Sequence, residues 1–313
     1  MSDEIYREDM AYVGDVPWHG KGTRLQPGSS IERWAAAAGF EWYVEKTPIP
    51  FMDGLYPDRV ILYRSDNRAP LSIASTRYKL VQPMEVLEFF RDLCESQGFQ
   101  METAGMLRGG TTYWALALTG REAQIRGEQI LAYTLIATSC DGSLATQTRL
   151  TSVRVVCNNT LQMSMLGGEG SKVITRHSTV FDPDKVKRDL KLVNVDASWD
   201  AFIASINKLS EFPFTDNRAR RFFAELLNVD LADEVEHPAR FRTFNRLWAE
   251  YERTRPAIAN TAWGAVNAVT QYIDHDKPVR DADNRLDSAW FGSGQQLKSR
   301  ALALAEDIYA LEV

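Results

Sequence analysis

The sequence has few of the residues on which disulfide and metal chemistry depend. Its three cysteines, Cys94, Cys140 and Cys157, show no CxxC spacing, and its four histidines form no HxH or HExxH pattern. A disulfide framework, a thiolate zinc site and a zinc protease motif are therefore all disfavoured. We predict neither a metal site nor a cofactor.

Long hydrophobic runs are also missing. A membrane-spanning helix needs about 18 or more consecutive apolar residues, and no such run occurs in the chain. The first ten residues, MSDEIYREDM, are acidic and polar, whereas a secretory signal begins with basic and then apolar residues. We therefore expect a cytoplasmic protein that does not contact membranes.

The chain has no overall excess of positive charge. Its formal net charge is −6, which disfavours non-specific binding of duplex DNA, because such binding requires Lys and Arg to neutralise phosphates. A locally basic groove is compatible with this total, since the distribution of charge decides the local field.

The first half of the sequence mixes helix and strand signals. Ser29 and Ser30 can cap a short helix over residues 31–38, and a second helix is predicted between Pro83 and Gly98. Strands are predicted at residues 60–63, 71–74, 99–106, 111–119, 130–140 and 151–157. The order is one helix followed by an antiparallel meander.

The second half has helical periodicity almost throughout. Asp182 and Pro183 can begin a first helix, and apolar residues then recur at a 3.6-residue spacing. The five stripes include Trp199, Phe222, Phe241, Trp263 and Leu297. The sequence thus predicts an α+β protein, with a helix-backed antiparallel sheet over residues 1–181 and an α-helical region over residues 182–313.

Several short motifs together resemble a known family. They are PWHGKG from Pro17, RYKLVQ from Arg77, DGS from Asp141, VRVVCNNTL from Val153, RHS from Arg176, and AWGAVNAVTQYIDH from Ala262. In this order they resemble the phage/plasmid-like protein family, also called domain of unknown function 932. The resemblance covers nearly the whole chain and implies an origin in a mobile element rather than a reaction.

A second resemblance concerns only the order of elements. A helix, a three-stranded meander and then a basic segment is similar to the core of single-strand annealing proteins such as phage Red beta. This resemblance implies an oligomer that binds, and anneals, single-stranded nucleic acid in rings or filaments.

The most basic segment of the chain lies between residues 149 and 191. It holds eight basic residues against four acidic ones, a local excess of four positive charges. Neutral amides and hydroxyls beside them suit phosphate and sugar contacts, and Tyr113, Trp114 and Tyr133 could offer stacking faces. The predicted nucleic-acid-binding residues are Arg149, Arg154, Asn158, Asn159, Lys172, Arg176, His177, Lys185, Lys187 and Arg188.

Other candidates have plainer explanations. The loop from Gly167 to Lys172 lacks the order of a phosphate-binding Walker motif and fits a hairpin. The carboxylates from Asp274 to Asp283 match no calcium loop and fit a solvated loop. Cys157 shares a strand face with valines, which favours a buried thiol over a nucleophile.

Three functions therefore stay open. The first is a mobile-element protein that binds and anneals single-stranded nucleic acid. The second is a non-enzymatic factor that binds a host defence or replication protein. The third is an enzyme acting on nucleotides or nucleic acid through His19, His177 or the late aspartates, although no catalytic motif is present.

Overall fold

The structure is a computed structural model of the whole chain. It describes residues 10–14, 22–154, 159–163, 173–175, 195–234, 241–254 and 256–312. By its internal contacts the chain divides into two compact units. The sheet unit comprises Met1–Gly120, Tyr133–Leu150 and Met165–Asn194; the helical unit comprises Arg121–Ala132, Thr151–Ser164 and Val195–Val313.

Two sheets account for the strands. The larger is eight-stranded, with the order β10-β9-β8-β7-β6-β1-β2 and with β11 also paired to β9. Its strands are β1 (Met10–Val13), β2 (Thr23–Leu25), β6 (Gln100–Leu107), β7 (Thr112–Ile125), β8 (Glu128–Ser139), β9 (Thr146–Arg154), β10 (Asn159–Gln162) and β11 (Val173–Thr175). The pair β1–β2 is parallel and β1–β6 is antiparallel, so the sheet is mixed.

The smaller sheet has the order β3-β4-β5. Its strands are β3 (Val44–Phe51), β4 (Gly54–Arg64) and β5 (Pro70–Ser75). One face carries the buried side chains of Val44, Leu62 and Ala74. Gln82 joins this sheet to the following helix, because its side-chain amide accepts from Val44 N at 2.9 Å and donates to Val44 O at 3.2 Å.

Helices α1 (Ile31–Ala37) and α2 (Pro83–Gln97) complete the sheet unit as described. Proline at the start of α2 suits the first helical turn, and Gly98 ends the helix in the left-handed conformation at φ 70°. The buried face of α2 carries Val86, Phe89 and Phe90, and their spacing explains why the sequence predicts this helix correctly.

One glycine is required by close packing. Gly110, in the turn between β6 and β7, has φ 98°, and a Cβ there would lie 2.9 Å from the Trp42 ring. The Arg64 guanidinium also packs over that ring, 4.3 Å from its centroid. The Gly109-Gly110 pair therefore allows the predicted turn and a tight layer of side chains beneath it.

The helical unit contains six helices among its described residues. They are α3 (Val195–Glu211), α4 (Asp216–Leu227), α5 (Arg242–Glu252), α6 (Ala262–Gln271), α7 (Ala282–Trp290) and α8 (Ser293–Glu312). The side chains of Thr215, Thr261 and Asp281 accept from backbone N–H groups and cap α4, α6 and α7. No described helix combines the length and apolar character needed to cross a membrane.

The α+β prediction, with a sheet followed by a helical region, is confirmed, but the predicted antiparallel sheet is mixed because β1 and β2 pair in parallel. The stretch from Asp274 to Asp283, for which a solvated loop was predicted, instead begins in a π-helical turn and ends in the first turn of α7, whose N-cap is Asp281. Strands β1, β2, β3 and β10 were not predicted from the sequence. The predicted helix at Asp182 and the boundary near Phe181 lie outside the described residues.

Two thiols provide a test of the packing. Burial raises the pKa of Cys94 to about 12 and that of Cys140 to about 11. Thiolate is the reactive form, so in the folded protein at pH 8 we expect neither to react with a disulfide reagent within minutes. In denaturant all three cysteines of the sequence should react, and rapid native reaction of Cys94 or Cys140 would contradict the described packing.

Candidate functional site

A buried ion pair lies at the centre of the helical unit. Lys298 Nζ on α8 is 2.7 Å from Asp274 Oδ1, and both side chains are only 3% exposed. Thr160 on β10 completes the cluster, because its N–H and hydroxyl lie 2.7 and 3.0 Å from Asp274 Oδ2 and its hydroxyl also accepts from Lys298. Burial lowers the pKa of Lys298, and the adjacent Asp274 carboxylate opposes that shift.

A second polar contact joins the neighbours of Thr160 and Asp274 in the chain, which are Asn159 and His275. The side-chain oxygen of Asn159 is 3.1 Å from His275 Nε2, and its amide donates to Asn267 O at 3.5 Å. Asn267 in turn donates to Trp263 O at 2.8 Å within α6. The motifs VRVVCNNTL and AWGAVNAVTQYIDH therefore meet through the side-chain hydrogen bonds of Asn159 and Thr160.

The backbone between these residues has an unusual form. After α6 the chain continues as a π-helical turn over Tyr272–Asp276, and Lys277 N donates to Tyr272 O at 2.6 Å. Short π-helical turns occur often at functional sites. Here the turn carries Asp274 into the core, and Lys277, which follows it, is half-buried.

A pocket of about 360 Å³ lies against this π-helical turn. Its lining residues come from α5, the π-helical turn and the first two turns of α8: Thr243, Tyr272, Ile273, Lys277, Ser293, Gln296, Leu297 and Arg300. Ser293, Gln296 and Arg300 are exposed, so the pocket opens to solvent. We call it the α8 pocket.

The α8 pocket is electropositive. Lys277 Nζ donates to Ser288 Oγ at 3.3 Å and to Ser293 Oγ at 3.4 Å, and Arg300 donates to Leu226 O at 2.9 Å. Among the described residues no acid forms an ion pair with Lys277 or Arg300. The positive end of the α8 dipole adds to this field, because Ser293 begins the helix.

The structure places two of the predicted binding residues in buried positions. Arg149 on β9 is 6% exposed, and both its Nε and an Nη atom donate to Gln147 Oε1. Burial lowers the pKa of Arg149 to about 10. Asn159 is 4% exposed and makes the contacts described above. Their predicted role in binding nucleic acid stays a prediction.

The other predicted binding residues are described partly or not at all. The backbone of Arg154 ends β9 and pairs with Asn159, but its side chain lies outside the description. Strand β11 pairs with β9 at residues 146–148, so it lies roughly 20 Å along β9 from Arg154. Outside the described residues are Asn158, Lys172, Arg176, His177, Lys185, Lys187 and Arg188.

Three aromatic residues have a different role from the one expected. Tyr113, Trp114 and Tyr133 are 0%, 1% and 7% exposed. The hypothesis that they offer faces for base stacking is therefore wrong, because they belong to the packed interior.

The late carboxylates are engaged in the structure rather than gathered in one place. Asp274 is in the buried ion pair, and Asp281 accepts from Asn284 N at 2.8 Å as a helix cap. Within the described part of the chain, no group of three or more His, Cys, Asp or Glu residues is arranged to hold a metal ion. His19 and His177 lie outside that part.

Sequence reasoning missed the residues of the α8 pocket. Lys277 and Arg300 are 23 residues apart and carry no motif of their own. The one available signal was the DHDK sequence after the helical stripe of α6, where a polar run directly follows a buried segment.

Comparison with known proteins gives one match. The profile of a family described as "Domain of unknown function (DUF932)" matches residues 70–290, more than two thirds of the chain. The matched range includes both motifs that meet at the buried ion pair, and it ends just before α8. No curated protein and no solved structure matches.

Proposed function

We propose that the protein, which belongs to the DUF932 family, binds single-stranded nucleic acid. The description of that family assigns no activity, so the support comes from this chain itself. We further propose that it does so for a phage or plasmid, in recombination or replication. The motifs that resemble the phage/plasmid-like family support the second part. The observation that carries the first part is the α8 pocket.

The α8 pocket has the chemistry of a phosphate and sugar site. Lys277 and Arg300 supply positive charge, and Thr243, Ser293 and Gln296 supply neutral donors. Most contacts between proteins and nucleic acids go to phosphate and sugar through these residue types. The start of α8 adds a dipole that favours an anion, although the N–H groups of Gly294 and Gln296 already donate to Ser288 Oγ and Gly292 O.

The size of the pocket favours a single strand. Its volume of about 360 Å³ is near the lower end of the roughly 300–1,000 Å³ typical of small-molecule sites. That space suits one phosphate with its sugar. A duplex would require many more cations than the chain's net charge of −6 suggests.

Two other arginines of the helical unit pack against aromatic rings. Arg218 packs 5.0 Å from the Phe212 ring centroid, and Arg220 lies 5.3 Å from that of Phe244. Lys277 and Arg300 instead donate to the neutral oxygens of Ser288, Ser293 and Leu226. Because they also line the α8 pocket, they are placed to meet a phosphate that enters it.

The predicted basic segment extends the same proposal. Arg149, Arg154, Asn158, Asn159, Lys172, Arg176, His177, Lys185, Lys187 and Arg188 remain the residues proposed from the sequence. The α8 pocket is an addition to them, and binding at one group does not require binding at the other.

Removing one pocket cation should weaken binding by a defined amount. For Lys277→Ala and for Arg300→Ala we expect the slope of log Kobs against log[salt] to become less steep by about 0.7, with no change in base preference. Fluorescence anisotropy with a labelled oligothymidylate and a mixed-sequence strand, each titrated at several salt concentrations, measures both quantities.

The matched control removes an arginine of the helical unit that lies outside the α8 pocket. Arg253 follows α5, ten residues after Thr243 and so roughly 15 Å away, and it pairs with Glu250 at 3.0 Å. Arg253→Ala should leave the slope unchanged. If the wild-type protein fails to bind either strand at low salt, the proposed function is wrong. Unchanged slopes in both pocket variants would remove the pocket from it.

A further inference from the structure

The hairpin formed by β3 and β4 ends in an exposed apolar tip. Phe51 is 51% exposed, Met52 88%, Leu55 64% and Tyr56 48%. Strand β5 pairs only with residues 59–63 of β4, so the hairpin beyond Arg59 has two strands and no third. Isolated two-stranded hairpins are at best marginally stable in water, and exposed apolar clusters of this kind mark interaction sites.

The same small sheet also has an uncovered outer face. Thr47, Ile61 and Ile73 form one cross-strand row on it, and Ile73 is 64% exposed. A groove of about 540 Å³ follows this face, lined by Glu45, Thr47, Ile61, Tyr63, Ser65, Arg68 and Pro70. We call it the outer groove. Since the opposite face of the sheet is buried, the outer groove is the face left for a partner.

The tip cannot fill the outer groove of its own molecule. Phe51 at the tip is four positions after Thr47 in the groove, which is roughly 13 Å along an extended strand. The tip lies at the end of the hairpin, whereas the groove lies on the face of its strands. A tip that enters the groove must therefore belong to another molecule.

The two surfaces are complementary in character. The tip offers large apolar side chains together with the carboxylates of Asp53 and Asp58. The outer groove is apolar at Ile61 and Pro70, and it carries one charge of each sign, Arg68 and Glu45. Asp53 at the tip of one copy can meet Arg68 in the groove of another, while Glu45 is hydrogen-bonded to Tyr63 of its own chain. Its volume accommodates one or two of the tip's large side chains.

We propose that the tip of one copy docks in the outer groove of a second copy of the same chain. The contact is head-to-tail, because one copy contributes its tip and the other contributes its outer groove. Such a contact produces a ring if the rotation closes and a filament if it does not. The proposal rests on the sheet unit alone and is independent of nucleic-acid binding.

A mixing experiment tests this geometry without nucleic acid. The tip variant is Phe51→Ser with Met52→Ser, and the groove variant is Ile61→Lys, with Ile73→Lys as a second version on the exposed edge strand. Sedimentation of the wild type over a concentration series should show oligomers. Each variant alone should associate at least tenfold more weakly.

Mixing the tip and groove variants gives the decisive result. One intact tip and one intact groove remain, so the mixture should form a dimer of twice 35.4 kDa and nothing larger. Leu311→Ser, which alters another exposed apolar residue, should assemble like the wild type. Circular dichroism melting confirms that each variant folds, and Ile73→Lys replaces Ile61→Lys if the latter does not.

Three outcomes would overturn the proposal. The first is a wild-type protein that stays monomeric at every concentration, which would leave the tip for a different protein. The second is a tip variant that assembles normally. The third is a mixture of tip and groove variants in which no dimer forms although both variants are folded.

Discussion

Lys298→Met is expected to lower the free energy of unfolding by about 3–5 kcal/mol. The substitution leaves Asp274 charged and buried, with only the hydrogen bonds from Thr160 to compensate. Removing one member of a buried pair costs more than the pair itself contributes, because the remaining charge has lost its counter-ion. Urea denaturation followed by tryptophan fluorescence measures the change.

A double variant separates charge from packing. Lys298→Met combined with Asp274→Asn removes both charges and keeps an acceptor for Thr160, so it should be more stable than Lys298→Met alone. Equal stability of the two variants would mean that lost packing, rather than an uncompensated carboxylate, explains the effect.

The single variant Asp274→Asn should reveal the lysine through pH. Burial already lowers the pKa of Lys298 in the folded protein, and Asp274 no longer opposes that shift. Because the unfolded chain keeps this proton up to its ordinary pKa of 10.5, it binds more protons than the folded state. The free energy of unfolding should therefore rise with pH below 10.5, by at most about 1.4 kcal/mol per pH unit. A free energy of unfolding that does not change with pH in this variant would contradict a lowered pKa of Lys298 in the folded protein.

Gly264→Ala is expected to destabilise the protein by about 3 kcal/mol, at the upper end of the usual cost of overpacking. Gly264 is the third residue of α6, and a Cβ there would lie 2.3 Å from the carbonyl oxygen of Ile258. That atom belongs to the backbone, so relief requires the chain before α6 to move. Because Thr261 caps α6 through the N–H of Gly264 itself, such a movement would also weaken the cap.

Gly54→Ala is the matched control for this substitution. No atom lies within 4 Å of the position its Cβ would take, so we expect a change within about 0.5 kcal/mol. Denaturation curves of both variants provide the comparison. A Gly264→Ala protein as stable as the Gly54→Ala protein would show that helix α6 does not pack against Ile258 as described.

The helix and meander of the sheet unit could be predicted because local signals agree there. Proline begins α2, glycine ends it, and apolar residues alternate along β7. Strand β3 could not be predicted in the same way, since Pro48 and Pro50 interrupt its alternation and remove two backbone donors. Its pairing with β4 provides the order that its own sequence lacks.

The candidate site was harder to predict because it depends on contacts between distant residues. The predicted stripe of α8 is Leu297, Ala301, Leu304 and Ile308, and of these only Ala301 is among its buried residues, which are Gly294, Lys298, Ala301 and Ala305. Hydrophobicity alone rejects a buried lysine, and only the meeting with Asp274 makes that position acceptable. Periodicity likewise cannot reveal the π-helical turn that brings Lys277 to the α8 pocket.

The pairing of β1 with β6 has a consequence for biosynthesis. Residues 10–12 form their hydrogen bonds with residues 103–105, more than 90 positions later in the chain. At about 5–20 residues per second, the ribosome takes roughly 5–20 s to deliver that partner. During this interval Met10, Ala11 and Tyr12, all buried in the finished sheet, are exposed on the nascent chain. Chaperones that bind short apolar segments should therefore engage this protein early in translation, before β6 has emerged.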